Sequence, residues 1–208
     1  MSLISHHPLP EHLVDYAAGA SGEGLSLLIA THLALCPQCR RQVRGLEAVG
    51  GVDLEESEAV AAVGALHDLP PPFVAQPRER GSAVLPEPLL SYAGRDAARL
   101  AWRSPFVGPK EVPLTGLACG SDVKLLMIPA GAAMPAHTHG GLETTLVLTG
   151  GFSDQTGHYV RGDVATADPS ITHKPRADAD GPCICLAVVE APLRLTGPLG
   201  RIVSLMLR

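Results

Sequence analysis

The stretch Thr31-His32-Leu33-Ala34-Leu35-Cys36-Pro37-Gln38-Cys39-Arg40 decides how the first third of the chain folds. His32 and Cys36 lie four apart, so on a helix they share a face, and Cys39 follows three residues later on the next turn. One imidazole and two thiolates converging from so short a segment form a half-site of the kind that holds zinc. A tetrahedron needs a fourth donor, and His6 or His7, just ahead of the first expected helix, supplies it. Closing the tetrahedron makes one unit of a loose arm and two short helices, because metal binding contributes folding free energy that so small a segment lacks. Two other readings are weaker. A C-x-x-C redox motif normally opens a helix after a strand, whereas here a helix precedes. As plain core, the cysteines would be small buried apolar groups and His32 a satisfied core residue.

Working outward, residues 10–18 read as a first helix, with Pro10 in the first turn and Leu13, Val14 and Ala17 at helical spacing. Residues 19–24 break it, with Ser21 as a cap for the second helix, whose apolar stripe is Leu25, Leu28, Ile29, His32 and Leu33. Cys36-Pro37 turns the chain into a third helix through Val43 and Leu46, which Gly50-Gly51 is expected to stop. The acidic start at 53–58 and the apolar edge Val60, Val63, Leu66 and Leu69 make a fourth helix, suited to its own domain or to a partner. Pro70-Pro71-Pro72 ends the helical part, and 70–88 reads as a Pro-rich linker. After it the period changes to two. Segments 102–114, 123–128, 143–148, 152, 158–160, 164–167, 184–189 and 194–207 read as short strands of an all-β barrel or sandwich. The expected organisation is a small all-α zinc-binding helical domain over 1–69, the linker over 70–88, and an all-β metal-binding domain over 89–208.

The second half carries its own constellation, His137-Thr138-His139-Gly140-Gly141-Leu142-Glu143, with His173 about thirty residues on. On a strand, His137 and His139 face the same side, Glu143 opens the next strand after a Gly-Gly turn, and His173 comes from a facing strand. Three imidazoles and a carboxylate directed inward bind a divalent ion such as Zn, Mn, Fe or Ni, with nothing in the residues choosing among them. His158 reads as a surface or supporting residue rather than a ligand. Cys183 and Cys185 alternate along a strand on one face, either lining the site as a redox-sensing pair or packing as core. Cys119 reads as structural.

Composition narrows the function classes. Residues 1–69 hold nine acidic side chains against three basic ones, so this part suits a basic protein surface rather than nucleic acid. Aromatic residues make up 3% of the chain, which removes the stacking platforms of single-strand binders. No apolar run reaches membrane-spanning length, the N-terminus lacks a signal-peptide pattern, and five cysteines do not form a secreted disulfide framework, so a cytoplasmic location is expected. The Gly-Gly pairs at 140–141 and 150–151 match no phosphate loop.

An H-x-x-x-C-x-x-C helix after an N-terminal histidine resembles the zinc-binding anti-sigma domain. The run Gly131, His137, His139, Glu143 and Gly150 is similar to the first cupin motif, G-x5-H-x-H-x3-E-x6-G. In this order, with Tyr16-Ala17-Ala18-Gly19, Gly141-Leu142-Glu143 and Cys183-Ile184-Cys185-Leu186, the chain resembles the ChrR family of anti-sigma factors over nearly its whole length apart from the linker. The resemblance implies a jelly-roll-like cupin barrel in the second half. It implies a structural zinc on His7, His32, Cys36 and Cys39, and a second zinc or other divalent metal on His137, His139, Glu143 and His173. It implies sequestration of an extracytoplasmic-function-type sigma factor from RNA polymerase, and release on singlet-oxygen-like oxidative stress sensed through the cupin. The chain departs from the second cupin motif, with Ser170 where glycine is commoner and no Asn after His173. On this reading the protein is not an enzyme, has no catalytic residues, touches neither nucleic acid nor membrane directly, and forms homo-oligomers, if any, through the cupin. The rival is a cupin-type metalloenzyme, a dioxygenase or isomerase, with an appended zinc-organised interaction domain. A module acting directly on DNA is disfavoured by the lack of a basic recognition helix.

Overall fold

The computed structural model describes residues 4–56, 84–104, 109–117 and 120–196, except for the side chains of 53–56 and 195. Residues 57–69 of the helix expected over 53–69, most of the linker, Cys119 and the chain beyond 196 lie outside the described residues.

Helix α1 spans Pro10–Ala17, with Pro10 and Glu11 in its first turn, where a missing N–H costs nothing and a carboxylate is favoured. Helix α2, Glu23–Leu35, starts from Gly22 with no side-chain cap. Ser21, expected to cap it, does not: its hydroxyl is buried without a hydrogen-bond partner. At the other end Arg40 donates to the carbonyls of Leu33, at 2.5 Å, and Ala34, satisfying acceptors that the helix leaves open. The Cys36 sulfur then receives the backbone N–H of Cys39 at 3.5 Å where α3 begins.

Helix α3 runs Pro37–Glu56, straight through Gly50-Gly51. The expected stop fails because neither glycine takes the left-handed conformation that terminates a helix. Residues 53–56 therefore belong to α3 and do not start a separate helix. A fourth helix absent from the sequence reading, α4 over Glu87–Ala93, ends at Gly94 with φ +66° and is followed by a 3-10 turn at Ala97–Arg99.

Ten strands follow: β1 Lys110–Pro113, β2 Asp122–Ile128, β3 His137–His139, β4 Glu143–Thr149, β5 Gly151–Asp154, β6 Gly157–Val160, β7 Val164–Ala167, β8 Arg176–Ala177, β9 Cys183–Val189 and β10 Leu193–Leu195. They form an antiparallel sheet ordered β1-β2-β9-β4-β7, a sheet β6-β5-β8 and a pair β10-β3. The segment expected as one strand over 102–114 contributes β1 and a single bridge from Arg103 to Glu111 among its described residues. The three sheets do not join into a closed barrel among the described residues, so the second half is a β-rich region of separate sheets in place of the expected barrel.

The large sheet divides its side chains by the period of two. All seven residues of β9 are buried. Ile184, Leu186 and Val188 point to one face, where Leu146 and Leu148 of β4 and Val123 and Leu125 of β2 meet Leu27 and Leu28 of α2, Leu85, and Leu89 of α4. Cys183 and Cys185 point to the other, with Val147, Phe152 and Tyr159. Helix α2 has a second apolar side as well: Ile29 packs with Leu13, Cys36, Cys39 and Val43 in the helical module. A helix apolar on most of its circumference must be covered all round, and α2 is the element shared by both halves. Leu85, inside the stretch read as linker, is fully buried in that shared core. Among the described residues no helix is long and apolar enough to cross a membrane.

Candidate metal centres

The first centre lies where the N-terminal arm meets the α2–α3 junction. One donor atom from each of His7, His32, Cys36 and Cys39 lies within 4.8 Å of all the others. His7 Nδ1 is 3.3 Å from Cys39 Sγ and 3.6 Å from Cys36 Sγ. Zn–S bonds of about 2.3 Å and Zn–N bonds of about 2.0 Å place tetrahedral donors roughly 3.3–3.8 Å apart, so this spacing suits the ion. His32 fixes its own tautomer. Its Nδ1–H donates to the carbonyl of Gly162 at 2.9 Å, which leaves the Nε2 lone pair free to ligate. That Nε2 is buried without a hydrogen-bond partner, as a metal-ligating atom should be. Burial is the main cause holding the His32 pKa down at about 4, so the ring is neutral and able to ligate at neutral pH. Burial, then the neighbouring Cys36 thiol, pushes the Cys39 thiol up to about 12. A dication reverses that preference by displacing the proton. His6, the other candidate for the fourth donor, turns away: its Nδ1 is 3.5 Å from Asp163 and its ring packs 4.6 Å from Tyr159.

The second centre is built between the sheets. His137 and His139 project from β3, Glu143 opens β4, and His173 reaches them through a bridge in which His137 and His173 exchange backbone hydrogen bonds of 3.0 and 2.9 Å. The donor atoms of these four residues also lie within 4.8 Å of one another. His139 Nε2 is 2.8 Å from Glu143 and 3.0 Å from His173 Nε2. Two rings are oriented through Nδ1, His137 by the Pro135 carbonyl at 2.8 Å and His173 by Asp154 at 3.0 Å. Burial alone would raise the Glu143 carboxyl, but hydrogen bonds from His139 and His173 outweigh it and hold the group at about 2. Burial also acts against a proton on His173, yet its bonds to Glu143 and Asp154 raise its pKa overall. For His137 burial prevails and the pKa falls. The result is an anionic carboxylate among imidazoles, a donor set fitted to a borderline divalent cation.

Asp154 escaped the sequence reading. It sits in the tight Asp154-Gln155-Thr156-Gly157 turn, where its Oδ1 accepts from Thr156, so locally it reads as a hairpin residue. Only the fold brings its other oxygen to His173. No sequence signal marks Asp163 as a partner of the N-terminal arm, whose Ser5 and His6 N–H groups it accepts. His158 is exposed and pairs with Asp178 at 2.9 Å, outside the donor cluster. Cys183 and Cys185 are free and buried, with sulfurs 3.4 Å apart, and Cys185 lines the cavity that holds His137, Glu143 and His173. The hydrogen bond from Cys183 and burial push the Cys185 thiol well above its ordinary range.

Comparison with known proteins decides the family. The anti-sigma-E factor ChrR of Cereibacter sphaeroides is 40% identical over 209 aligned positions that span 97% of both chains. The chain belongs to the ChrR family of anti-sigma factors. The model of the ChrR cupin-like domain matches residues 93–192, which contain all four donors of the second centre. The crystal structure of Rhodobacter sphaeroides SigE in complex with the anti-sigma ChrR superposes with a TM-score of 0.77 at 40% identity, covering 89% of this chain and 99% of that one. ChrR-family membership thus extends through both halves, and the two donor clusters fall one in each.

Proposed function

We propose that this chain sequesters an extracytoplasmic-function-type sigma factor from RNA polymerase, and that its cupin-like half regulates the release. The observation that carries the reading is the pairing, in one chain aligned end to end with an anti-sigma-E factor, of a cysteine-containing four-donor cluster in the helical module with a separate His3Glu cluster. Residues 1–69 serve as the binding module, 70–88 as the connection and 89–208 as the regulatory cupin, a jelly-roll-like barrel. Zinc is the natural occupant of His7, His32, Cys36 and Cys39, and the His3Glu centre takes zinc or another divalent ion. Exposed apolar side chains on the helices, Val14 on α1 and Val49 and Val52 on α3, supply surface for a partner. Occlusion needs area rather than chemistry.

The cavity at the second centre has a volume of about 30 Å³. His137, Glu143 and His173 line it together with Cys185, so a small oxidant entering there meets both the donor cluster and a thiol. End-to-end alignment with an anti-sigma-E factor favours a sensor over the cupin metalloenzyme. Singlet-oxygen-like oxidants reaching the centre, or the Cys183–Cys185 pair beside it, shift the chain toward a state that frees the sigma factor in the cytoplasm. The Cys185 thiol, kept protonated, reacts only when the site opens or an oxidant enters.

Run-off transcription with purified polymerase and the host sigma factor tests this. Equimolar metal-loaded chain should abolish the transcript, and illumination with a singlet-oxygen photosensitiser should restore it. Full transcription in the presence of excess chain would overturn the sigma reading. Inhibition that survives every oxidant would overturn the sensor reading.

A further inference from the structure

The two centres lie in different halves of the chain, yet the β6–β7 turn meets the arm just before His7 and also His32 itself. Asp163 is fully buried. Its Oδ1 accepts the N–H groups of Ser5, at 2.8 Å, and His6, at 3.0 Å, while Oδ2 accepts the N–H of Val160 at 3.0 Å. The carbonyl of His6 in turn accepts the N–H of Val164 at 3.0 Å. Both backbone groups of His6 are thus tied to the turn immediately before His7. The neighbouring residue, Gly162, presents its carbonyl to His32 Nδ1. Gly162 has φ +93°, and a Cβ there would lie 2.5 Å from Ile4, so arm and turn are in close contact along this edge.

We propose that this turn of the cupin-like half is a positioning element of the His7-His32-Cys36-Cys39 centre, holding His7 through Asp163 and the arm, and His32 through the Gly162 carbonyl. The inference rests on the metal reading of that centre. Cys36 and Cys39 are placed by the α2–α3 junction, so the helical module supplies the thiolates and the cupin-like half orients the imidazoles. The turn is itself bonded to β4: Val147 donates to the Asp163 carbonyl at 3.0 Å and accepts from Gly162 N–H at 2.8 Å. Since β4 begins at Glu143, a displacement of that strand reaches the turn within one short ladder, and withdrawing the turn loosens two donors of the first centre at once. The cupin-like half thereby sets how tightly the binding module holds its metal.

Groups that orient ligating histidines are worth about 10–100-fold in metal affinity. The test uses the full chain loaded with Co²⁺, whose thiolate charge-transfer band reports the first centre alone because the His3Glu donors include no sulfur. Competition with a chelator should show Asp163→Ala binding Co²⁺ about 10–100-fold more weakly, with an altered band. Ser5→Pro, which deletes one arm N–H and changes no residue of the cupin-like half, should bind several-fold more weakly while the His3Glu centre keeps its affinity. If Asp163→Ala does not fold, Ser5→Pro decides. Wild-type affinity and spectrum in Ser5→Pro and in any folded Asp163→Ala protein would overturn the inference. Absence of the thiolate band in the wild-type chain would instead remove the metal reading, and the inference with it.

Discussion

At the scale of single residues, each centre depends on hydrogen bonds that fix which ring nitrogen is free. The ligand candidates were legible because their chemistry is local: a helical i, i+4, i+7 spacing for His32, Cys36 and Cys39, and a strand alternation for His137 and His139. Their supports were not, because Asp154 and Gly162 reach His173 and His32 only across the fold. Two outcomes follow. Cys39→Ala removes a buried thiolate donor and should cost metal and sigma binding together, by 100-fold or more (~3 kcal/mol), as read by metal content and pull-down from the same preparation. Tight sigma binding by the metal-free variant would contradict the organising role of the centre. Asp154→Asn should keep the fold and weaken metal binding at His137, His139, Glu143 and His173 by roughly tenfold, since a neutral amide supports the His173 imidazole less well. Isothermal titration of the metal-free protein measures it.

At the scale of elements, α3 and α4 show where sequence patterns mislead. Gly50-Gly51 looked like a terminator, but glycine disfavours a helix without ending it unless the backbone turns left-handed, and here it does not. A Cβ on either glycine meets nothing within 4 Å. Gly50→Ala and Gly51→Ala should therefore each stabilise the helix by about 0.5–1 kcal/mol. Circular dichroism should show equal or greater helicity and a higher urea midpoint; reduced helicity would mean the helix ends before residue 50 in solution. Helix α4 was hidden because Pro86 and Pro88 flank its start in a proline-rich stretch that reads as linker. Proline in a first helical turn is well tolerated, and Leu89 then buries against α2. The strands were more legible, since β2, β4, β7 and β9 alternate or run apolar between turn residues, whereas two-residue β8 has no pattern to read.

At the scale of the whole molecule, the halves share α2 in one core and share a polar seam at Asp163. Burial disfavours the Asp163 carboxylate, but the N–H groups of Val160, His6 and Ser5 and the His6 ring outweigh this and hold its pKa below the ordinary value. The titratable groups that face it are His6 and, from α2, His32. Because the folded-state value is depressed, the stabilisation is complete above the unfolded-state value near 4 and is lost as pH falls through the folded one. In the metal-free chain the amide signals of Ser5 and His6 should stay protected from exchange between pH 8 and 5 and lose protection only below about pH 4. Loss above pH 6 would assign the seam to a histidine instead.

If a metal-organised helical module grips a sigma factor, co-expressing the full chain with the host's extracytoplasmic-function-type sigma factor and weighing the purified complex together with its metal will give a one-to-one complex with zinc bound by thiolates. A folded, zinc-loaded chain that captures no sigma factor of the host would contradict that grip.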